Sequence, residues 1–140
     1  MPTDREKRII KSFQRVMHAD HREIIQLIME LAKAESPAQA EDPLLALDGA
    51  FGAHFATEEA RGGGFETLVT ARPELRPNVD RLFDDHKWIL AEVAALLELL
   101  EASVPAEEEE AFAARIKVFV ARIVDHEVRE SKLLRKLAHL

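Results

Sequence analysis

Two histidine–glutamate pairs lie at four-residue spacing in the middle of apolar stripes: His54 with Glu58, and His126 with Glu130. Residues four apart share one face of an α-helix about 6 Å from each other, so each pair can bind one metal ion or two together. Burial of an unpaired imidazole or carboxylate in an apolar core costs several kcal/mol of folding free energy. Bound metal cations would offset that cost, so the two pairs indicate a metal centre.

Two further histidines, His21 and His86, occupy inward positions of their own apolar stripes. The four stripes are Ile10, Phe13, Met17, His21, Ile24, Ile28, Leu31; Leu44, Leu47, Phe51, His54, Glu58; Val79, Leu82, His86, Ile89, Val93, Leu97, Leu100; and Phe112, Ile116, Phe119, Ile123, His126, Glu130, Leu133, Leu137. In antiparallel helices, side chains equally far from the connecting loop meet at one level. The four histidines match in this way to within about one helical turn, at about 1.5 Å per residue. All six polar side chains are therefore expected in one layer of the core.

The pattern of capping residues, prolines and glycines predicts four helices, over about 4–35, 42–61, 78–102 and 106–138. Thr3 and Glu6 form a capping box, and Asp42 with Pro43 is typical of a helix start. Glycines 62–64 end the second helix, and the connector that follows has room for about one helical turn. Strand patterns are absent. We expect one domain spanning 1–140, an all-α, up-down-up-down four-helix bundle; an extended two-helix coiled coil is disfavoured by these breaks.

Composition excludes several classes of function. The 140 residues include no cysteine and no tyrosine, which removes disulfides, thiolate sites, iron–sulfur clusters and phenolate ligands. The net charge is −7 with no basic face, so nucleic acid is not an expected partner. No apolar run approaches the roughly 18–20 residues of a membrane span, and the first residues do not resemble a signal peptide. We expect a cytoplasmic protein with no membrane partner.

Four imidazoles and two carboxylates suit iron, manganese or zinc rather than copper(I). Two glutamates at the centre of a bundle can bridge two ions, whose charge makes their burial tolerable. The aspartates that precede three of the histidines either lie on helix surfaces or accept the free ring N–H of a histidine on an adjacent helix. These are Asp20, Asp85 and Asp125. Surface positions are the default for His18, His139, Glu59 and Glu127, with a supporting role near the site as the alternative for His18.

The order His21, His54-Phe-Ala-Thr-Glu58, His86, His126-Glu-Val-Arg-Glu130 resembles the hemerythrin-like (HHE cation-binding) family over essentially the whole chain. The resemblance implies a four-helix bundle with a non-haem di-iron centre. It implies that the four histidines are terminal ligands and that Glu58 and Glu130 are carboxylate bridges. The chain departs from the oxygen-carrying hemerythrins, which have a second histidine on the third helix and a final aspartate. The residue four after His86 is Leu90, so this six-ligand pattern is similar to that of iron-sensing and some bacterial members, with a coordination position left for water or a small ligand.

Three functions follow as hypotheses. The first is a di-iron protein that binds or reacts with dioxygen, peroxide or nitric oxide, in oxidative-stress handling or in gas or iron sensing. Its possible enzymatic form is peroxide disproportionation, with no catalytic residues outside the cluster. The second is a sensor or storage module without turnover whose fold depends on metal and whose output needs a separate redox or signalling partner. The third is a helical interaction protein that merely tolerates polar core residues.

Overall fold

Four long helices and one short one build the protein, as seen in a computed structural model that describes residues 2–140. The helices are α1 (Asp4–Ala32), α2 (Pro37–Glu59), α3 (Gly64–Ala71), α4 (Arg76–Glu101) and α5 (Glu109–Ala138), with 3₁₀ turns at Pro73–Leu75 and Ala106–Glu108. Helices α1 and α4 each pack against both α2 and α5. No strand occurs in the described residues. The expected all-α four-helix bundle is confirmed.

The apolar core is divided into two clusters by a polar layer. One cluster contains Leu31, Leu44, Phe51, Val93 and Phe119 with their neighbours, towards the α1–α2 and α4–α5 loops. The other contains Met17, Phe65, Leu82 and Leu137 with theirs, beneath α3. The buried polar residues described are His54, Glu58, His86, His126, Glu127 and Glu130. Polar burial is thus concentrated in one layer, which rigid apolar packing encloses on both sides.

The start of α2 differs from the sequence prediction. The helix begins at Pro37, with the Ser36 side chain accepting a hydrogen bond from the backbone N–H of Gln39, and not at Asp42. Pro43 therefore lies inside the helix, although it has no N–H to donate. The earlier start places Ala40 in the core, 1% exposed, beside the rest of the first cluster. Ser36-Pro37 carries the same start signal as Asp42-Pro43, and burial of the extra turn decides between them.

The other helix bounds differ less. Helix α1 ends at Ala32 rather than near Glu35, and α4 begins at Arg76, directly after the 3₁₀ turn. The connector after α2 forms α3, which is longer than the one turn expected, and Gly64 at its start lies against Phe13 of α1. A Cβ at Gly64 would lie 2.2 Å from the Phe13 ring, so this close approach requires glycine. No helix in residues 2–140 is both long enough and apolar enough to cross a membrane.

Candidate metal centre

All six predicted ligands meet in the polar layer. Each long helix contributes one histidine from the middle of its apolar stripe, and α2 and α5 each add a glutamate one turn later. The imidazoles form two pairs: the ring centroids of His21 and His54 are 5.2 Å apart, and those of His86 and His126 are 5.1 Å apart. The layer thus has one imidazole pair between α1 and α2, and a second between α4 and α5.

The first group of potential metal donors surrounds the α1–α2 pair. It consists of His21, His54, Glu127 and Glu130, whose nitrogen or oxygen atoms all lie within 4.8 Å of one another. Nε2 of His21 lies 3.1 Å from Oε1 of Glu130 and 3.2 Å from Oε2 of Glu127. Nε2 of His54 lies 3.4 Å from the same Glu130 oxygen. Two nitrogens and two carboxylates thus converge on one point.

The second group of donors consists of Glu58, His86 and His126, also within 4.8 Å of one another. Nε2 of His86 lies 3.3 Å from Oε2 of Glu58, and Nε2 of His126 lies 3.6 Å from Oε2 of Glu130. All three side chains of the group are buried. The α4–α5 imidazole pair therefore has carboxylate oxygens beside it, as the α1–α2 pair does.

Glu58 and Glu130 each reach both groups. Glu58 has Oε1 against Nε2 of His54 and Oε2 towards His86, while Glu130 has Oε1 against His21 and His54 and Oε2 towards His126. A carboxylate with one oxygen in each of two donor groups has the arrangement needed to bridge two ions. Each glutamate can place one oxygen in each donor group because Glu58 and Glu130 come from α2 and α5, which lie diagonally opposite each other in the bundle.

Three of the four imidazoles donate a hydrogen bond from Nδ1–H to a carboxylate of a neighbouring helix. Nδ1 of His54 lies 3.0 Å from Asp20, and Nδ1 of His126 lies 3.0 Å from Asp85. Arg129 also donates to Asp85 at 2.6 Å, which holds that carboxylate in place. Nδ1 of His86 lies 3.1 Å from Glu59. Such partners fix the ring orientation and keep the proton on Nδ1, which leaves Nε2 free to bind a metal.

Ten buried atoms in the layer have no hydrogen-bond partner. They are Nε2 of the four histidines and both carboxylate oxygens of Glu58, Glu127 and Glu130. Their mutual contacts are short, yet none has hydrogen-bond geometry, and each buried atom left unpaired costs about 1–3 kcal/mol. In the state that can bind metal, with each ring neutral and its proton at Nδ1 and with the carboxylates ionised, the lone pairs of nitrogen and oxygen face one another and repel. Cations between them would remove this repulsion, so the donors present fit a pair of metal ions.

The pKa values of these groups diverge because the layer is buried and negatively charged. Burial lowers the pKa of His54, but contact with Glu130 and Glu58 outweighs burial and raises it to about 11. Burial, and then the charge of Glu130, raise the pKa of Glu58 well above its ordinary value. Burial raises the pKa of Glu130 as well, but contacts with His21 and His54 pull it far below its ordinary value. Without metal, these shifts favour protons on His54 and Glu58, and the protons balance part of the negative charge of the layer.

The net pKa shift of His86, in the other imidazole pair, is opposite to that of His54, because no carboxylate contact outweighs burial there. Burial, and then the neighbouring His126, lower the pKa of His86 to about 3, so its ring is neutral and Nε2 keeps its lone pair. The Phe55 ring stacks on His86 with centroids 3.8 Å apart, and Phe83 lies 5.6 Å away. His86 is thus packed against two aromatic rings and is only 1% exposed.

The layer is most open between α1 and α5. The side chains of His21 and Glu127 are 14% and 11% exposed, against 0–1% for the other five. Both line a groove of about 450 Å³ whose walls include Ile25, Ile28, Met29, Val124 and Val128. The groove is thus lined mostly by apolar side chains, with Ser131 and Arg135 as further polar members of its wall.

The surroundings of the six ligands agree only partly with the sequence predictions. Asp20 and Asp85 do accept from histidines on adjacent helices, whereas Asp125 pairs with Arg129 of its own helix. His18 and His139 are exposed, in agreement with the default expectation. Glu59 and Glu127 do not simply face solvent: Glu59 contacts His86, and Glu127 is buried beside His21.

The missed residues carry a weak sequence signal. Glu59 directly follows Glu58, and Glu127 directly follows His126. A step of one residue turns a side chain by about 100° around its helix. On an isolated helix that direction is solvent. In the bundle the same direction points to the neighbouring helix. The sequence signal for Glu59 and Glu127 is therefore only that each is an acidic residue adjacent to a proposed ligand.

Comparison with protein families gives one match. The sequence profile described as the Hemerythrin HHE cation binding domain matches residues 12–138. Comparison with curated proteins and with solved structures yields no match. The matched segment contains all six predicted ligands and Glu127.

Proposed function

Because the chain belongs to the hemerythrin HHE cation-binding domain family, we propose that it is a non-haem di-iron protein that binds or reacts with dioxygen, peroxide or nitric oxide. The observation that supports this most directly is the sharing of Glu58 and Glu130 between two donor groups. A single ion would need only one group. Two groups joined by two carboxylates suit two ions at short separation.

The proposed ligands are His21 and His54 at one ion, His86 and His126 at the other, and Glu58 and Glu130 between the ions. All the donors are nitrogen or oxygen, which suits iron and also manganese or zinc. A pair of iron ions supplies redox chemistry that no side chain of this protein can perform. Dioxygen, peroxide and nitric oxide are therefore the ligands that we propose.

The protein's own residues position the ions and control access to them. Asp20, Glu59 and Asp85 keep the proton on Nδ1 of their histidines, so that Nε2 binds metal. Phe55 and Phe83 pack against the His86 ring and hold it in place. We propose the groove between α1 and α5 as the route for a small ligand, because most of its wall is apolar and His21 and Glu127 form part of that wall.

Metal content after anaerobic loading with iron tests this proposal. Purified protein is expected to hold two irons per chain by mass spectrometry, and Glu58→Ala and His126→Ala are expected to lose both. His18→Ala is the matched control, because His18 is exposed on the same helix as His21 and should keep full metal content. A stably folded wild-type protein that binds no iron would refute the proposed centre.

A second candidate function is a metal-dependent sensor or storage module without turnover. The observation that supports it is the set of ten buried atoms without hydrogen-bond partners, from which we expect bound metal to stabilise the folded state. Adding peroxide to the loaded protein separates the candidates. Catalytic release of oxygen from peroxide supports an enzyme, whereas a large metal-dependent rise in melting temperature without turnover supports the sensor.

A cytoplasmic location of the protein stays a prediction.

The access route has its own test. Val128 is 50% exposed at the mouth of the groove, so Val128→Trp is expected to narrow the groove without touching a ligand. Nitric oxide binding to the loaded variant, followed by stopped-flow absorbance, should be several-fold slower at unchanged iron content. Val118→Trp, at a position on α5 that is 56% exposed and outside the groove, is the control. An unchanged rate in Val128→Trp would exclude this route.

A further inference from the structure

Glu127 is a buried carboxylate that the six-ligand pattern does not include. It is 8% exposed and follows His126 directly on α5. Oε2 lies 3.2 Å from Nε2 of His21, and the residue belongs to the donor group of His21, His54 and Glu130. Neither of its oxygens has a hydrogen-bond partner. To be ionised, a carboxylate buried in this way requires a positive charge beside it.

Pairing with a protonated His21 does not satisfy this requirement. Nε2 of His21 already lies 3.1 Å from Oε1 of Glu130, so one ring nitrogen would serve two carboxylates. The contact with Glu127 also lacks hydrogen-bond geometry, as both atoms remain unpartnered. Within residues 2–140 no lysine or arginine forms an ion pair with Glu127. A metal ion at the centre of the group can contact all these donors at once.

We propose that Glu127 is a terminal ligand of the metal ion held by His21 and His54, and thus a seventh protein ligand of the centre. The inference rests on the proposed di-iron function. It makes the two metal positions unequal: the first has His21, His54 and Glu127 besides one oxygen from each bridge, and the second has only His86 and His126 besides the bridges.

Two consequences follow from the inequality. The first position has more donors and an additional negative charge, so it binds a divalent cation more tightly than the second. The second position has more coordination sites left for an external ligand. Without Glu127, each position would have two imidazoles and two bridging oxygens, and the two ions would be nearly equivalent.

The test compares Glu127→Gln, which keeps the size of the side chain and removes its charge, with Asp125→Asn. Asp125 is an exposed acidic residue of the same helix, so its variant controls for the change in net charge. Binding of ferrous iron is titrated anaerobically against a competing chelator, and protein loaded with iron-57 is measured by Mössbauer spectroscopy. Circular dichroism confirms that each variant is folded.

Wild-type protein and Asp125→Asn are expected to bind iron in two separate steps and to show two quadrupole doublets. In Glu127→Gln the first step should weaken at least tenfold, and the doublets should move together. Unchanged affinities and an unchanged spectrum in Glu127→Gln would overturn the proposal. If that variant does not fold, the wild-type spectrum decides, because a single doublet would mean equivalent ions. Failure of the wild type to bind iron would instead refute the di-iron function itself.

Discussion

Glu58→Gln and Glu130→Gln are expected to abolish metal binding alike but to affect the metal-free protein in opposite ways. Burial and the charge of Glu130 raise the pKa of Glu58, so the metal-free protein holds Glu58 as a neutral acid. Glutamine has nearly the shape and polarity of that acid. Contacts with His21 and His54 lower the pKa of Glu130, which is therefore an ionised partner of both rings. Glutamine cannot replace that charge.

The magnitudes follow from these two states. Glu58→Gln should change the free energy of unfolding of the metal-free protein by less than about 1 kcal/mol, because a neutral side chain replaces a neutral one. Glu130→Gln leaves the His21 and His54 rings without their shared anion, 3.1 and 3.4 Å away. Removing one partner of a buried ion pair costs about 3–5 kcal/mol. At about 4 °C per kcal/mol for a chain of this size, its melting temperature should fall by roughly 12–20 °C.

Thermal unfolding followed by circular dichroism, with and without a chelator, measures both effects. With iron at about 1,000 times its dissociation constant, the wild type should gain about 4 kcal/mol of stability for each ion bound, and neither variant should gain it. Glu23→Gln, an exposed carboxylate of α1, is the control and should behave as the wild type throughout. Equal destabilisation of the metal-free protein by Glu58→Gln and Glu130→Gln would refute the assignment of one neutral and one ionised glutamate.

Three further outcomes are expected. Asp85→Asn removes the carboxylate at Nδ1 of His126 and should weaken metal binding by about 10–100-fold in a chelator competition, whereas Asp125→Asn should not; equal affinities would contradict the role of Asp85. Burial, and then Glu130, raise the pKa of Glu127 to about 7, above its ordinary 4.5. The neutral acid is thus favoured in the folded metal-free protein, and this contribution to stability, about 3 kcal/mol, is present below about pH 4.5 and lost as pH rises through about 7. Urea unfolding at several pH values should show the loss in the wild type and not in Glu127→Gln, and parallel profiles would count against it. Gly64→Ala forces the Phe13 ring away from α3 and should lower stability by about 1–3 kcal/mol in the same assay, with Gly52→Ala, where a Cβ meets nothing within 4 Å, as the control.

The separation of the core into two apolar clusters and one polar layer explains how these polar side chains can be buried at fixed positions. Apolar packing on either side holds the helices at fixed distances, so the donors cannot relax towards water. Cross-helix contacts then set the ring orientations. A centre built on four rigid helices is more precise than one built on loops.

The sequence by itself determined the four long helices, their inward faces and the meeting of six polar side chains in one layer. These follow from the 3.6-residue period of the helix and from equal distances to connecting loops, both of which are local properties of the chain. The partners Asp20 and Asp85 were also within reach of this reasoning, because they stand next to inward histidines.

Only the tertiary structure decided which side chains next to the inward stripes meet a neighbouring helix. Glu59 and Glu127 lie about 100° from a ligand on their helices, and the bundle turns one towards His86 and the other into the layer beside His21. Likewise, Ser36 and not Asp42 begins α2, because the added turn buries Ala40 against the core. Helical period fixes the direction of a side chain, but its surroundings depend on the packing of helices that are distant in sequence.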